Sequence, residues 1–116
     1  MNVEQIRAAL GASVASGTEL LGEEVASACG SDLMSDVLAF VKERTVLLTG
    51  LVNAQVIRTA EMLDMVVVVF VRGKQPSEEI LRMADERGIA VLTTSHTLFT
   101  ACGLLYAQGL RGEAQI

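Results

Sequence analysis

The residues best suited to chemistry in this chain follow a strongly apolar segment. Seven apolar residues run from Met65 to Val71, and Arg72, Gly73 and Lys74 come directly after them. Arg and Lys beside the free amides at the start of a following helix favour an anion such as phosphate. A plain solvated turn uses the same residue types, so the pattern leaves both an anion-binding loop and a simple turn open.

His96 is the only histidine in the chain. Its titration near neutral pH suits a phosphoryl acceptor or a general base, but no carboxylate stands at a local spacing that would make it a partner. A solvated side chain is therefore the favoured interpretation. The sequence also lacks the GxxxxGK[ST] and GxGxxG loops of nucleotide-dependent enzymes, so we assign no catalytic residue.

The two cysteines, Cys29 and Cys102, stand far apart in the sequence. Neither has a second Cys or a His at metal-ligand spacing, which argues against a zinc site and against a redox CxxC motif. We expect both to be reduced thiols packed in the core, and the sequence predicts no metal and no cofactor.

Three apolar segments, each followed by a loop and an amphipathic helix, position the polar residues. The segments "TVLL", "MVVVVFV" and "IAVLTT" are predicted strands. The segment 65–71 is apolar on both faces, which is typical of a central strand of a parallel sheet covered by helices on both sides. The sequence thus predicts a three-layer α/β fold with a mostly parallel central sheet.

Right-handed crossovers bring the loops at 49–53, 72–76 and 94–97 to one edge of that sheet, where open α/β sheets bind ligands. The turn after the earlier strand "EVASAC" adds two polar residues. The candidate ligand-binding residues are Ser31, Asp32, Thr49, Gly50, Asn53, Arg72, Gly73, Lys74, Thr94, Ser95 and His96.

Capping signals predict the helices. Asn2 caps an opening helix that Gly11 ends, and "SDVLAFVKE" presents an apolar stripe that includes Val37 and Leu38. The last helix is predicted to begin with a cap near Ser95. It ends at Gly109, after which Leu110 folds back in a Schellman contact.

The composition limits the class of protein. With 116 residues we expect one domain over 1–116, with a frayed tail after about residue 112. A net charge of -5 with scattered cations argues against nucleic acid as a partner. The longest apolar run is far shorter than the roughly 20 residues that cross a bilayer. No secretory signal pattern opens the chain, so we expect no membrane association and a cytoplasmic location.

The sequence motifs and the order of elements resemble those of the DRTGG domain family, especially its small stand-alone members, over about residues 2–112. The most specific parts are the strand that leads into "GSDLMSD", the link from Lys74 to Glu79, and the pattern from Thr97 to Tyr106. The family is similar to the N-terminal domain of HPr kinase/phosphorylase and also occurs inside CBS-domain pyrophosphatases. Elsewhere its members act as regulatory or dimer-forming modules without catalysis.

The chain departs from the family pattern at its name-giving motif. The Asp-Arg pair falls on Leu51 and Val52, and the Thr-Gly-Gly falls on Val71, Arg72 and Gly73, so that only the last glycine is kept. The loss of a charged pair from one loop, together with a new cation in the next, leaves two alternatives open: the family's ligand binding is lost, or the ligand is a different one.

Two hypotheses from different classes follow, with a third ranked last. The leading one is a non-catalytic regulatory or sensor domain that binds a small anionic ligand such as a nucleotide or phosphorylated metabolite. The resemblance implies that this domain is a homodimer. The alternative is a dimeric interaction or scaffold module without a ligand, and the last is a phosphotransfer-related enzyme using His96. The resemblance also implies a protein partner in a signalling or redox complex.

Overall fold

The computed structural model describes residues 1–41 and 43–112. Within these residues one sheet contains five strands: β1 (Ser13–Ser16), β2 (Ser27–Gly30), β3 (Thr45–Thr49), β4 (Val67–Phe70) and β5 (Ala90–Thr93). The same residues form five α-helices: α1 (Val3–Leu10), α2 (Met34–Phe40), α3 (Ala54–Met62), α4 (Glu78–Glu86) and α5 (Leu98–Ala107). A short 3-10 turn spans Thr18–Leu20.

The strands follow the order β1-β5-β4-β3-β2, with β4 in the centre. The strands β2, β3, β4 and β5 are parallel, and Val69 in β4 pairs with Leu48 on one side and Leu92 on the other. The edge strand β1 pairs antiparallel with β5. The predicted α/β fold with a mostly parallel sheet and a central valine-rich strand is confirmed.

The central strand is buried on both faces. Val67 and Val69 pack into a core with the apolar residues of α1 and α5, whereas Val68 and Phe70 pack into a second core with those of α2, α3 and α4. Each of these side chains has no exposed surface. Because burial of one such side chain contributes about 1.5 to 3 kcal/mol, β4 is a main source of stability for both layers.

Local spacing sets most helix ends. Asn2 and Gln5 form a capping box at the start of α1, with both hydrogen bonds at 2.8 Å. At the end of α5 the N–H groups of Gly109 and Leu110 donate to the carbonyl oxygens of the last turn, at 3.0 and 3.2 Å. This is the predicted Schellman motif, and Leu110 is buried as the motif requires.

Some details of the sequence prediction need correction. The helix α5 begins after a cap by Thr97, which accepts a hydrogen bond from the N–H of Thr100, and not near Ser95. The reason is that the segment before Thr97 is bent so that the carbonyl of His96 faces the loop after β4. His96 therefore lies before the helix. Leu38 is 44% exposed, because α2 is short and buries only Met34 and Val37.

The ladder of β4 is shorter than the predicted strand 65–71, although Val71 is also fully buried. The predicted frayed tail after about residue 112 lies outside the described residues, and so does residue 42 of the predicted helix "SDVLAFVKE". In the part of the chain that is described, none of the helices has the length and apolar character needed to cross a membrane.

Candidate ligand-binding site at the carboxyl edge of the sheet

The turn after β4 carries two residues in a row with left-handed backbone. Arg72 has a φ of 61° and Gly73 has a φ of 69°, and the N–H of Lys74 donates to the carbonyl of Val71 at 3.3 Å. Positive φ at both central positions is the signature of a type I′ turn, in which glycine is favoured and arginine is unusual. Arg72 is thus held in a conformation that costs a non-glycine residue on the order of 1 kcal/mol.

Backbone hydrogen bonds fasten this turn to the loop after β5. The N–H of Arg72 donates to the carbonyl of His96 at 2.7 Å, and the N–H of Gly73 donates to the carbonyl of Thr94 at 2.9 Å. These two bonds offset the backbone strain at Arg72. They also set the direction in which its side chain leaves the turn.

The guanidinium of Arg72 lies against Gly50 in the loop after β3. A Cβ atom placed on Gly50 would stand 2.7 Å from Nη2 and 3.2 Å from Nε of Arg72. Only a residue without a side chain leaves room for the guanidinium in this position. The sequence shows no signal for this contact, because it depends on how two loops far apart in the chain are placed.

Asp32, in the loop after β2, binds the end of β3 and the start of the loop that follows it. Its Oδ1 accepts hydrogen bonds from the N–H of Gly50 at 2.7 Å and from the hydroxyl of Thr49 at 3.0 Å. The N–H of Gly50 is the main cause that lowers the pKa of Asp32, and Thr49 and the charges of Arg72 and Lys74 lower it further against a partial burial that raises it. Asp32 is therefore a carboxylate at neutral pH.

The charge at this edge is available to a ligand. Arg72 and Lys74 are both exposed, and within residues 1–41 and 43–112 neither forms an ion pair or a side-chain hydrogen bond. Two cations and one carboxylate thus face solvent in a chain whose net charge is -5. A local excess of positive charge of this kind can hold an anion against a weak opposite global field.

A polar cleft of about 230 Å³ lies beside the turn, lined by Gly11, Ser13, Gly73, Gln75, Thr93, Thr94 and Ser95. Four of these residues, Gly11, Ser13, Gln75 and Thr93, are not among those predicted from the sequence. Because β1 runs antiparallel to β5, its first residues lie at the edge where the parallel strands end. The residues of a short edge strand do not determine whether it runs parallel or antiparallel to its neighbour. The local sequence pattern therefore could not predict that Gly11 and Ser13 lie at the carboxyl edge of the sheet.

Several predicted site residues lie at this edge but use their polar atoms for the fold. Asn53 caps α3 by accepting from the N–H of Val56, and Ser31 forms a turn with the backbone of Leu33. The hydroxyl of Thr94 is buried and donates to the carbonyl of Leu10 at 3.2 Å. These residues shape the edge and have little capacity left for a ligand.

Two further predicted residues, Ser95 and His96, differ in their exposure to solvent. Ser95 is exposed and lines the cleft. His96 is half-buried, and its backbone N–H donates to the hydroxyl of Thr94 at 3.4 Å. Among the described residues its imidazole has neither a hydrogen bond nor an ion pair, so no neighbour orients it as a general base.

The cysteines are poor nucleophiles in this fold. Burial raises the pKa of the Cys29 thiol, and the nearby Cys102 and Asp36 raise it further. Burial also raises the pKa of Cys102. Both are free thiols that are half-buried. Within the described ranges no group of three or more His, Cys, Asp or Glu side chains is placed to hold a metal ion.

Comparison with known proteins gives a structural relationship. No protein-family model and no curated protein matches the sequence. A solved structure of the CBS and DRTGG domains of the regulatory region of Clostridium perfringens pyrophosphatase, complexed with the activator diadenosine tetraphosphate, is similar, with a TM-score of 0.71 and 23% identity. The match covers 90% of this chain and 45% of that chain, so this chain spans less than half of its length. The chain therefore has a DRTGG-like α/β fold, as the resemblance in its sequence predicted.

Proposed function

We propose that this chain is a non-catalytic regulatory domain that binds a small anionic ligand, such as a nucleotide, at the carboxyl edge of its sheet. One observation carries the proposal. Arg72 is held in a strained backbone conformation, with its guanidinium over Gly50 and with no ion-pair partner among the described residues. Strain of this kind clusters at sites that bind ligands, where it fixes a side chain in advance.

The similar fold supports this proposal by analogy. The Clostridium perfringens structure is that of a regulatory region with a bound nucleotide activator. For this chain the phosphate of such a ligand would lie against Arg72 and Lys74, and the rest of it would extend along the cleft past Ser95. Arg72 and Lys74 form no ion pair with any described residue, so binding of an anion breaks no ion pair among these residues.

Isothermal titration calorimetry with ATP, diadenosine tetraphosphate and inorganic tripolyphosphate tests the proposal. Replacing both cations, as Arg72→Gln with Lys74→Gln, should weaken binding by about tenfold or more, since each removes a hydrogen bond to a charged group. Arg82→Gln is the matched control, because Arg82 is an exposed cation on α4 outside the site. A folded protein that binds none of these compounds would rule the proposal out.

A second function, that of a dimeric interaction module, is favoured by the surface of α5. Phe99 is 89% exposed and Tyr106 is 60% exposed, and the helix contains no charged residue. Gly103 lies between them with open space around it. We propose that α5 pairs with α5 of a second copy through this face, with Phe99 as the main exposed contact and with the guanidinium of Arg111 stacked over the ring of Tyr106 at 3.8 Å.

Size-exclusion chromatography with light scattering tests this second proposal. Phe99→Asp should convert a dimer into a monomer, while Phe40→Asp, at an exposed position on α2, should not. A wild-type protein that is monomeric at high concentration would exclude the dimer.

We further propose that residues 1–116 form one domain of the kind found at the N-terminus of HPr kinase/phosphorylase. The protein is proposed to be cytoplasmic, with a protein partner in a signalling or redox complex.

A further inference from the structure

Among the described residues, the donors to Asp32 bind one of its two carboxylate oxygens. Both donors that reach it, the hydroxyl of Thr49 and the N–H of Gly50, bind Oδ1. In residues 1–41 and 43–112 no hydrogen bond reaches Oδ2, and the side chain is exposed. Asp32 therefore presents Oδ2 to solvent at the edge of the sheet, as an acceptor that no donor of the described residues uses.

This acceptor stands beside the cations of the proposed anion site. The N–H of Gly50 donates to the carboxylate of Asp32, and the guanidinium of Arg72 packs against the Cα of the same glycine. A ligand that is anionic throughout, such as a polyphosphate, is attracted by Arg72 and Lys74 but repelled by Asp32. A ligand with both a phosphate and hydroxyl donors satisfies all three groups, because an ionised carboxylate is a strong acceptor for hydroxyl groups.

We infer that Oδ2 of Asp32 accepts hydrogen bonds from the ribose hydroxyls of a ribonucleotide whose phosphate lies against Arg72 and Lys74. This inference rests on the proposed function and makes it more specific, since it predicts preference for ribose over inorganic polyphosphate. A carboxylate that binds ribose hydroxyls close to a phosphate site is a known solution in α/β folds. The bonds to Thr49 and Gly50 hold the carboxylate in place before the ligand arrives, which reduces the entropy lost on binding.

Calorimetric titration with three probes tests the inference: ATP, 2′,3′-dideoxy-ATP and inorganic tripolyphosphate. Wild-type protein should bind ATP about tenfold or more tightly than dideoxy-ATP, because the dideoxy compound lacks the hydroxyl donors to a charged acceptor. Asp32→Asn keeps an acceptor for Gly50 but removes the charge. It should bind ATP about tenfold more weakly and tripolyphosphate at least as tightly as the wild type.

Asp85→Asn is the matched control, because Asp85 is an exposed carboxylate on α4 outside the site, and its removal should not change the order of the three probes. Thermal unfolding of each variant verifies that it is folded. The comparison of ATP with dideoxy-ATP uses the wild-type protein alone, so it remains valid even if a variant does not fold. Equal binding of ATP and dideoxy-ATP by the wild type would overturn the inference while leaving the anion site standing. Binding of no probe at all would overturn the proposed function and this inference with it.

Discussion

The N–H of Gly50 donates to Oδ1 of Asp32 at 2.7 Å, and this bond joins the loop after β2 to the loop after β3. The guanidinium of Arg72, in the loop after β4, also packs against Gly50. Arg72 is in turn bound through its N–H to His96 in the loop after β5. Four loops that follow parallel strands are thus connected through one glycine and one arginine, and changes at either position should affect the whole edge.

Gly50→Ala should separate binding from stability. The added methyl group would displace the guanidinium of Arg72, which is the flexible end of a side chain, so the free energy of unfolding should change by no more than about 1 kcal/mol. Nucleotide or polyphosphate affinity should fall by about tenfold, because the cation is no longer in place. Calorimetry and urea unfolding measure the two effects. In an Arg72→Ala background the same change should leave affinity unaltered, and a persisting loss there would show that Gly50 acts by another route.

Arg72→Gly should increase stability while it weakens binding. Glycine adopts positive φ without the steric cost that arginine bears, so the free energy of unfolding should rise by up to about 1 kcal/mol. Urea unfolding measures this gain. The comparison is Arg82→Gly in the interior of α4, where glycine should instead destabilise by about 1 kcal/mol. A loss of stability for Arg72→Gly would mean that its side chain contributes more to the fold than its backbone strain removes.

The pKa of Asp32 predicts a stability change at acid pH. Because the pKa is lowered in the folded protein, the carboxylate stabilises the fold fully above its ordinary pKa of 3.8, and that stabilisation is lost as the pH falls through the folded pKa. Asp32→Asn should therefore be less stable than the wild type at pH 7, with the difference vanishing at pH values well below 3.8. Urea unfolding between these limits measures it. A difference that is constant with pH would contradict this explanation.

The hydroxyl of Thr49 provides a second test of the same carboxylate. Thr49→Val removes one of the two donors to Oδ1 and should raise the pKa of Asp32, whereas Thr49→Ser keeps the donor and should leave it lowered. Nuclear magnetic resonance titration of the carboxyl carbon follows the change directly. If the pKa of Asp32 in Thr49→Val stays as low as in the wild type, the hydrogen bond from this hydroxyl is not a cause of the lowered pKa.

The central strand should be far more sensitive to truncation than an exposed aromatic position. Phe70→Ala removes a fully buried ring from β4 and should destabilise the fold by about 3 to 5 kcal/mol. Phe40→Ala, at a position that is 72% exposed on α2, should change stability by no more than about 0.5 kcal/mol. Chemical denaturation compares the two. Similar losses in both variants would mean that β4 is not the anchor of the two cores.

The sequence by itself determined the elements whose signals lie within a few residues of one another. The cap Asn2 comes directly before the apolar pattern of α1, and it is found where the spacing predicts it. The unbroken apolar run before Arg72 was sufficient to predict a central strand of a parallel sheet. Crossover handedness then placed the polar loops at one edge, so most members of the candidate site could be named in advance.

Only the tertiary structure decided how those loops touch. Asp32 and Gly50 are 18 residues apart, and their bond depends on the register of β2 beside β3. The positive φ of Arg72 and the position of Ser13 beside β5 likewise depend on neighbouring strands. Local patterns encode which face of an element is buried, whereas contacts between loops arise only when strand order and direction are set by packing of the whole core.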